Sequence, residues 1–115
     1  MIYLDYNSTT PTDPKVQKAM LPYLNDMYGN AASTTHKLGK QSKKAVEDAR
    51  KVIARSINAK SHEIIFTSGA TESLNLGIFG TAIASTKSVK KIITTPIEHK
   101  AVLDTCKFVK QFDVQ

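Results

Sequence analysis

The sequence predicts an α/β chain whose strands pair in parallel, and three observations carry that prediction. The apolar run Ile64-Ile-Phe66 is broken by Thr67-Ser-Gly69 and followed by a helical pattern. Lys91-Ile-Ile-Thr-Thr95 repeats the arrangement, with Pro96 ending the run and a second helical pattern after it. The helix between the two runs is long enough to serve as the crossover that parallel strands need.

The elements follow in order. Residues 1–13, rich in Thr, Pro and Asp, read as an arm. Residues 14–28 read as a helix, because Val16, Ala19, Met20, Tyr23, Leu24 and Met27 share one face. Pro22 lies inside it and predicts a kink. Residues 29–35 are small and polar and read as a loop. Residues 36–57 form a long basic helix with an apolar stripe of Leu38, Ala45, Val46, Ala49, Val52 and Ile53. Residues 58–62 turn into the first strand, 64–66. The helix of residues 70–85 carries Leu74, Leu76, Ile78, Phe79 and Ile83 around its circumference, which predicts burial on more than one side. The strand of residues 91–95 and the helix of residues 98–110 come next, and residues 112–115 read as the start of another strand.

Residues 68–71 form a strand–glycine–helix junction. The first N–H groups of a helix lack intrahelical partners and carry partial positive charge, so such a junction suits an anion. Gly69 allows close backbone approach, and Ser68 and Thr71 offer hydroxyls. The same pattern is also a plain corner of an α/β fold, and these residues alone leave both readings open. No Gly-Lys-Ser/Thr follows, and the three-glycine dinucleotide spacing is absent. A phosphate on some other cofactor gains accordingly. His99 lies beyond the end of the second strand, as residues 68–71 lie beyond the first. In parallel α/β sheets the ligand crevice lies at that edge, although a lone histidine is more often structural or solvated.

A longer series of motifs narrows the reading. Tyr3-Leu-Asp-Tyr-Asn-Ser-Thr-Thr-Pro11, Met20-Leu-Pro-Tyr23, Gly29-Asn30, His36, Phe66-Thr-Ser-Gly-Ala-Thr-Glu72 and Glu98-His-Lys-Ala-Val-Leu-Asp104 occur in this order. Together they resemble the amino-terminal portion of NifS/IscS-type cysteine desulfurases, in the class V aminotransferase superfamily of fold-type I pyridoxal 5'-phosphate (PLP) enzymes. The resemblance implies that residues 14–115 are an incomplete PLP-binding large domain with a partial parallel sheet, preceded by the arm and helices. It implies that Ala70 and Thr71 hold the PLP phosphate, and that His99 stacks on the pyridine ring and assists proton transfer. The segment Asp5 to Pro11 matches one near the active-site entrance, and Gly29 to His36 a loop near the site and dimer interface. Ala31 stands where the family often has proline, so a less rigid loop is expected.

The resemblance also implies a reaction: cysteine to alanine, with sulfur passed to an enzyme cysteine as a persulfide, for iron–sulfur cluster assembly or tRNA thiolation. Its partners would be cysteine, a sulfur-acceptor or scaffold protein, and a second copy in a homodimer. The family's cofactor-binding lysine, pyridine-nitrogen acid, sulfur-accepting cysteine and carboxylate-binding arginine belong to motifs that none of these residues match. Lys100 follows His99 but lies in a different motif from that lysine. The chain alone is therefore expected to be inactive, as a fragment, a split gene product or a partner-dependent piece. A non-catalytic remnant that binds a phosphate-bearing ligand or a protein is the alternative.

Composition sets further bounds. The 115 residues suffice for a modest core. Cys106 is the single cysteine, which excludes a disulfide framework, fits a reducing compartment and reads as a small buried apolar side chain rather than a sulfur acceptor. No apolar run approaches the ~18 residues of a membrane span, and the expected location is the cytoplasm. The net charge of +6 permits an acidic partner. The densest basic set, from Lys37 to Arg55, is interrupted by Glu47 and Asp48 and lacks aromatic residues for base stacking. It reads as a solvated face, and no nucleic acid is expected.

Overall fold

A computed structural model describes residues 2–85, 91–112 and 114. The chain divides into two compact units, Met1–Ile64 and Ile65–Gln115.

The first unit contains α1 (Pro14–Asn25) and α2 (Lys37–Ser56). Asp13 starts α1 by accepting the Lys15 N–H at 2.7 Å, and Pro14 occupies the first turn, where its missing N–H costs nothing. The helix ends three residues before the expected residue 28, because the Asp26 and Met27 N–H groups both turn onto the Pro22 carbonyl, at 2.9 and 2.8 Å. None of its residues is buried, and Met20, Leu21 and Leu24 are exposed.

His36 caps α2, its Nδ1 accepting the Gly39 N–H at 3.1 Å. The buried positions Gly39, Ser42 and Ala54 mark the inward side of this helix. Its charges pair along the solvent side, as Lys44–Asp48–Lys51 and Arg50–Glu47. Lys44 and Asp48 hold each other charged, mainly through their hydrogen bond, which raises the lysine's pKa and lowers the aspartate's. At the other end Asn58 takes a left-handed φ of 55°. Its N–H donates to Arg55 O at 3.2 Å, and that of Ala59 to Ala54 O at 2.8 Å. This is a Schellman stop with asparagine in the glycine position.

The loop before α2 is fixed without proline. Asn30 folds an Asx turn, its Oδ1 accepting from the Ala32 N–H at 2.9 Å, and its carbonyl accepts from Ser33 at 3.0 Å. Gly39 then lets α2 press against the loop: a Cβ there would lie 2.2 Å from Ser33 O and 3.0 Å from Asn30 O. The looser loop expected from Ala31 is compensated by this contact.

The second unit contains α3 (Ala70–Ala84), α4 (Lys100–Val109) and a 3-10 turn, Lys110–Phe112. The helix α3 packs on α4. Thr105 and Val109 are buried, and Thr105 donates to Asn75 Oδ1 at 3.2 Å. Phe79 meets Phe108 and Phe112 with ring centroids 5.3 and 5.5 Å apart, and those two rings lie 5.7 Å apart. Each such pair contributes about 0.5–1.5 kcal/mol beyond its buried area. Position 75 meets 105, and position 79 meets 108 and 112, so contacts advance in the same sense along both helices. The two helices therefore run parallel, with their N-termini at the same end. The all-round apolar surface of α3 predicted burial on several sides, yet none of its residues is buried and Leu76 and Ile83 stay exposed.

The predicted strands are not paired in this structure. Residues 64–66 and 91–95 carry no strand pairing among the described residues. Ile64 has strand-like angles, φ −95° and ψ 124°, so extended backbone is present without a ladder. Sequence sets the preference for extension, but a strand exists only through a partner. Residues 91–94 border the Cys106, Val109 and Lys110 side of α4. Phe112, the expected start of a further strand, lies in the 3-10 turn, and residues 113 and 115 of that expectation fall outside the described residues.

Two glycine substitutions test this packing. Gly39→Ala should cost about 1–3 kcal/mol, since its methyl meets backbone. Gly77→Ala, in the interior of α3 with nothing within 4 Å, should be neutral or gain up to ~1 kcal/mol. Urea unfolding followed by circular dichroism measures both, and equal effects would contradict the contact at Gly39.

Candidate functional site

The junction at residues 67–73 is built by side chains of α3 reaching back. Gly69 is the N-cap and Glu72 the third helical residue, the position from which a capping-box carboxylate folds over the helix start. Glu72 Oε2 accepts from both the N–H and the hydroxyl of Ser68, each at 2.6 Å. Thr67 Oγ1 and Ser73 Oγ lie 2.6 Å apart, and both hydroxyls donate to Gly69 O at 3.2 Å. The turn is thus clamped by two residues of the first turn of α3. The Ser68 bonds, side chain first and backbone second, hold the Glu72 carboxyl below its ordinary pKa.

The clamp decides which donors face outward. Among the described residues, no protein group accepts from the N–H groups of Ala70 and Thr71 or from the Thr71 hydroxyl. No atom lies within 4 Å of the place where a Cβ on Gly69 would stand. Two oriented N–H groups, a hydroxyl and open space at a helix N-terminus fit the oxygens of a phosphate. The expected Ser68 hydroxyl does not join them, because it is spent on Glu72. Gly69 has a φ of 166°, ordinary extended backbone, so its contribution is room rather than a special conformation.

His99 caps α4, its Nδ1 accepting the Ala101 N–H at 3.2 Å. A structural role, that of helix cap, is therefore present. It leaves the ring exposed and puts the proton of the neutral imidazole on Nε2. His99 and Thr71 stand at corresponding ends of two parallel helices, so the structure brings their elements to one side of the unit. No sheet edge is defined among the described residues, and the expected placement on such an edge has no counterpart.

Lys100 is engaged in an exposed ion pair with Asp104, and that hydrogen bond keeps the Asp104 carboxyl below its ordinary pKa. Cys106 is half-buried. Among the described residues no cluster of side chains could hold a metal, and no helix is long and apolar enough to cross a membrane. Sequence reasoning missed the clamp, although glutamate three residues after Gly69 was a legible signal. It also missed Asn75 and Thr105, which no local pattern marks.

Comparison with known proteins gives the family. The family model for aminotransferase class-V matches residues 2–114. The chain belongs to that family. It is 51% identical over 110 residues to "Cysteine desulfurase IscS" of Rickettsia akari (strain Hartford), covering 96% of this chain and 27% of the relative. It is 53% identical over 105 residues to the protein of the same name from Methylobacillus flagellatus, covering 90% and 26%. A solved structure of a "NifS-like protein" superposes with a TM-score of 0.84 at 38% identity, over 95% of this chain and 30% of that one. The chain thus spans about a quarter of the length of the curated relatives it matches.

The clamp sets a pH expectation. A carboxyl held below its unfolded pKa stabilises the fold above the unfolded value and loses that contribution as pH falls through the folded value. Carbon-13 NMR should show Glu72 titrating below exposed glutamates, and Ser68→Ala should return it toward them. A Glu72 midpoint that matches theirs before the substitution would contradict the clamp.

Proposed function

We propose that this chain is the amino-terminal part of a PLP-dependent cysteine desulfurase, supplying its phosphate cradle and a ring-facing histidine. The observation that carries the reading is a coincidence. The clamped turn with outward Ala70 and Thr71 N–H groups falls in a chain about half identical to proteins named cysteine desulfurase. In the complete protein, residues 64–66 and 91–95 would pair in the parallel sheet of the fold-type I large domain.

Each group has a task in this reading. The Ala70 and Thr71 N–H groups bind phosphate oxygens, aided by the Thr71 hydroxyl and the partial positive charge of the α3 N-terminus. Glu72, by occupying Ser68, keeps the turn from collapsing onto those donors. His99 presents an aromatic face to a cofactor ring and holds a proton at Nε2, while its Nδ1 stays engaged with Ala101. When bound, PLP supplies an electron sink for bond breaking at an amino-acid substrate. The substrate is cysteine, the sulfur leaves to an acceptor or scaffold protein, and the working form is a cytoplasmic homodimer.

Titration of the nitrogen-15-labelled chain with PLP tests the cradle. The Ala70 and Thr71 amides and the His99 ring should shift together, and inorganic phosphate should move the two amides alone. Shifts elsewhere with these residues unmoved would overturn the reading, and amide shifts without His99 would favour a non-catalytic phosphate binder.

Catalysis is expected to fail in the isolated chain. Incubation with PLP and cysteine should yield neither sulfide nor alanine, because no lysine here matches the family's cofactor-binding motif. Turnover that disappears in Lys100→Ala would show that Lys100 fills that role.

A further inference from the structure

Asn75 lies one helical turn beyond Thr71 and makes two contacts that no local rule requires. Its Nδ2 donates to Thr71 O at 2.8 Å. Its Oδ1 accepts from the hydroxyl of Thr105, thirty residues away on α4, at 3.2 Å. Thr105 is only 4% exposed, and its single hydroxyl proton is shared with Ala101 O at 2.8 Å. Ala101 in turn donates its N–H to His99 Nδ1 at 3.2 Å. Asn75 thus ties the Thr71 end of α3 to Thr105 on α4, one turn beyond Ala101, whose own N–H is capped by His99.

The remaining contacts between α3 and α4 are set differently. The cluster of Phe79, Phe108 and Phe112 lies toward the C-terminal ends. Aromatic packing tolerates small slides, whereas a hydrogen bond to a buried hydroxyl fixes one register. The Asn75–Thr105 bond lies nearer to the helix starts than that cluster.

We infer that Asn75 is a positioning residue, which through Thr105 holds His99 in register with the phosphate-binding turn at Thr71. The inference rests on the cofactor reading for its purpose, but its geometry stands on the protein alone. Asn75 itself touches neither the phosphate nor the ring. It fixes where the ring-facing histidine stands relative to the cradle, and hence the ligand length that the two can hold together.

The test has one arm without ligand and one with it. In the free chain, imidazole nitrogen-15 shifts should report His99 protonated mainly on Nε2. Asn75→Ala and Thr105→Val, which release the register of α4 against α3, should shift the His99 ring resonances and the Ala101 amide away from their wild-type positions. Thr105→Ser, which keeps the hydroxyl, should stay near the wild type. Should Asn75→Ala unfold the chain, Asn75→Ser decides: its side chain is too short to reach Thr105, and the same shifts are expected. With PLP added, Asn75→Ala or Asn75→Ser should retain the Ala70 and Thr71 amide shifts but lose most of the His99 shift. An unchanged His99 signature in both arms, or equal shifts in Thr105→Ser and Thr105→Val, overturns the role of Asn75. If the wild-type amides of Ala70 and Thr71 ignore PLP, the cofactor reading fails, and the ligand-free arm still judges the register.

Discussion

The candidate site depends on the parallel packing of α3 on α4. Each helix starts with unsatisfied donors or a cap that a ligand could use, but neither start is a site alone. The packing puts both starts at one end of the unit, and its contacts include the three phenylalanines and the Thr105 hydroxyl on Asn75. Parallel neighbours of this kind are what strand–helix–strand–helix order produces when the connections cross over in one sense. The helices keep the arrangement although residues 64–66 and 91–95 form no ladder among the described residues.

The same economy explains the surface. Among the described residues the buried apolar side chains are Ala54, Val109 and Val114, whereas Ile65, Ile93 and Ile97 are 64%, 89% and 90% exposed. An apolar segment flanking a phosphate turn is normally covered by a sheet and its second helix layer. The solved NifS-like structure has more than three times the matched length, so there is ample chain in such a protein to provide that cover. Buried area and stability would then come from the larger assembly, while the local hydrogen bonds at residues 67–73 already set the shape of the turn.

Much of this was legible in the sequence, and the failures have physical causes. The start of α1 was legible in the apolar stripe that opens at Val16 and that of α3 in the glycine at 69, whereas α4 begins at Lys100, two residues after the expected 98. Those signals act within a few residues, which is why they can be read locally. The end of α1 was misplaced because the apolar stripe continues to Met27 while the Pro22 carbonyl captures two N–H groups and closes the helix. The expected strands have no partner among the described residues, because pairing is not a property of one segment. At the site, Ala70, Thr71 and His99 were named from their positions after apolar runs and from the family motifs. The Ser68 hydroxyl was misassigned because Glu72, one turn away, takes its proton. Asn75 and Thr105 were invisible, since a contact across thirty residues leaves no trace in spacing.

The parallel pairing of α3 and α4 is the central claim, and a paramagnetic label tests it directly. A nitroxide on Cys at the exposed position Ala84, at the end of α3, can be attached in a chain whose Cys106 is replaced by serine. The amides of residues 108–112 should broaden strongly, and those of Lys100, Ala101 and Val102 should stay sharp. The reverse pattern, with the start of α4 broadened and its end sharp, would mean antiparallel helices and would separate Thr71 from His99.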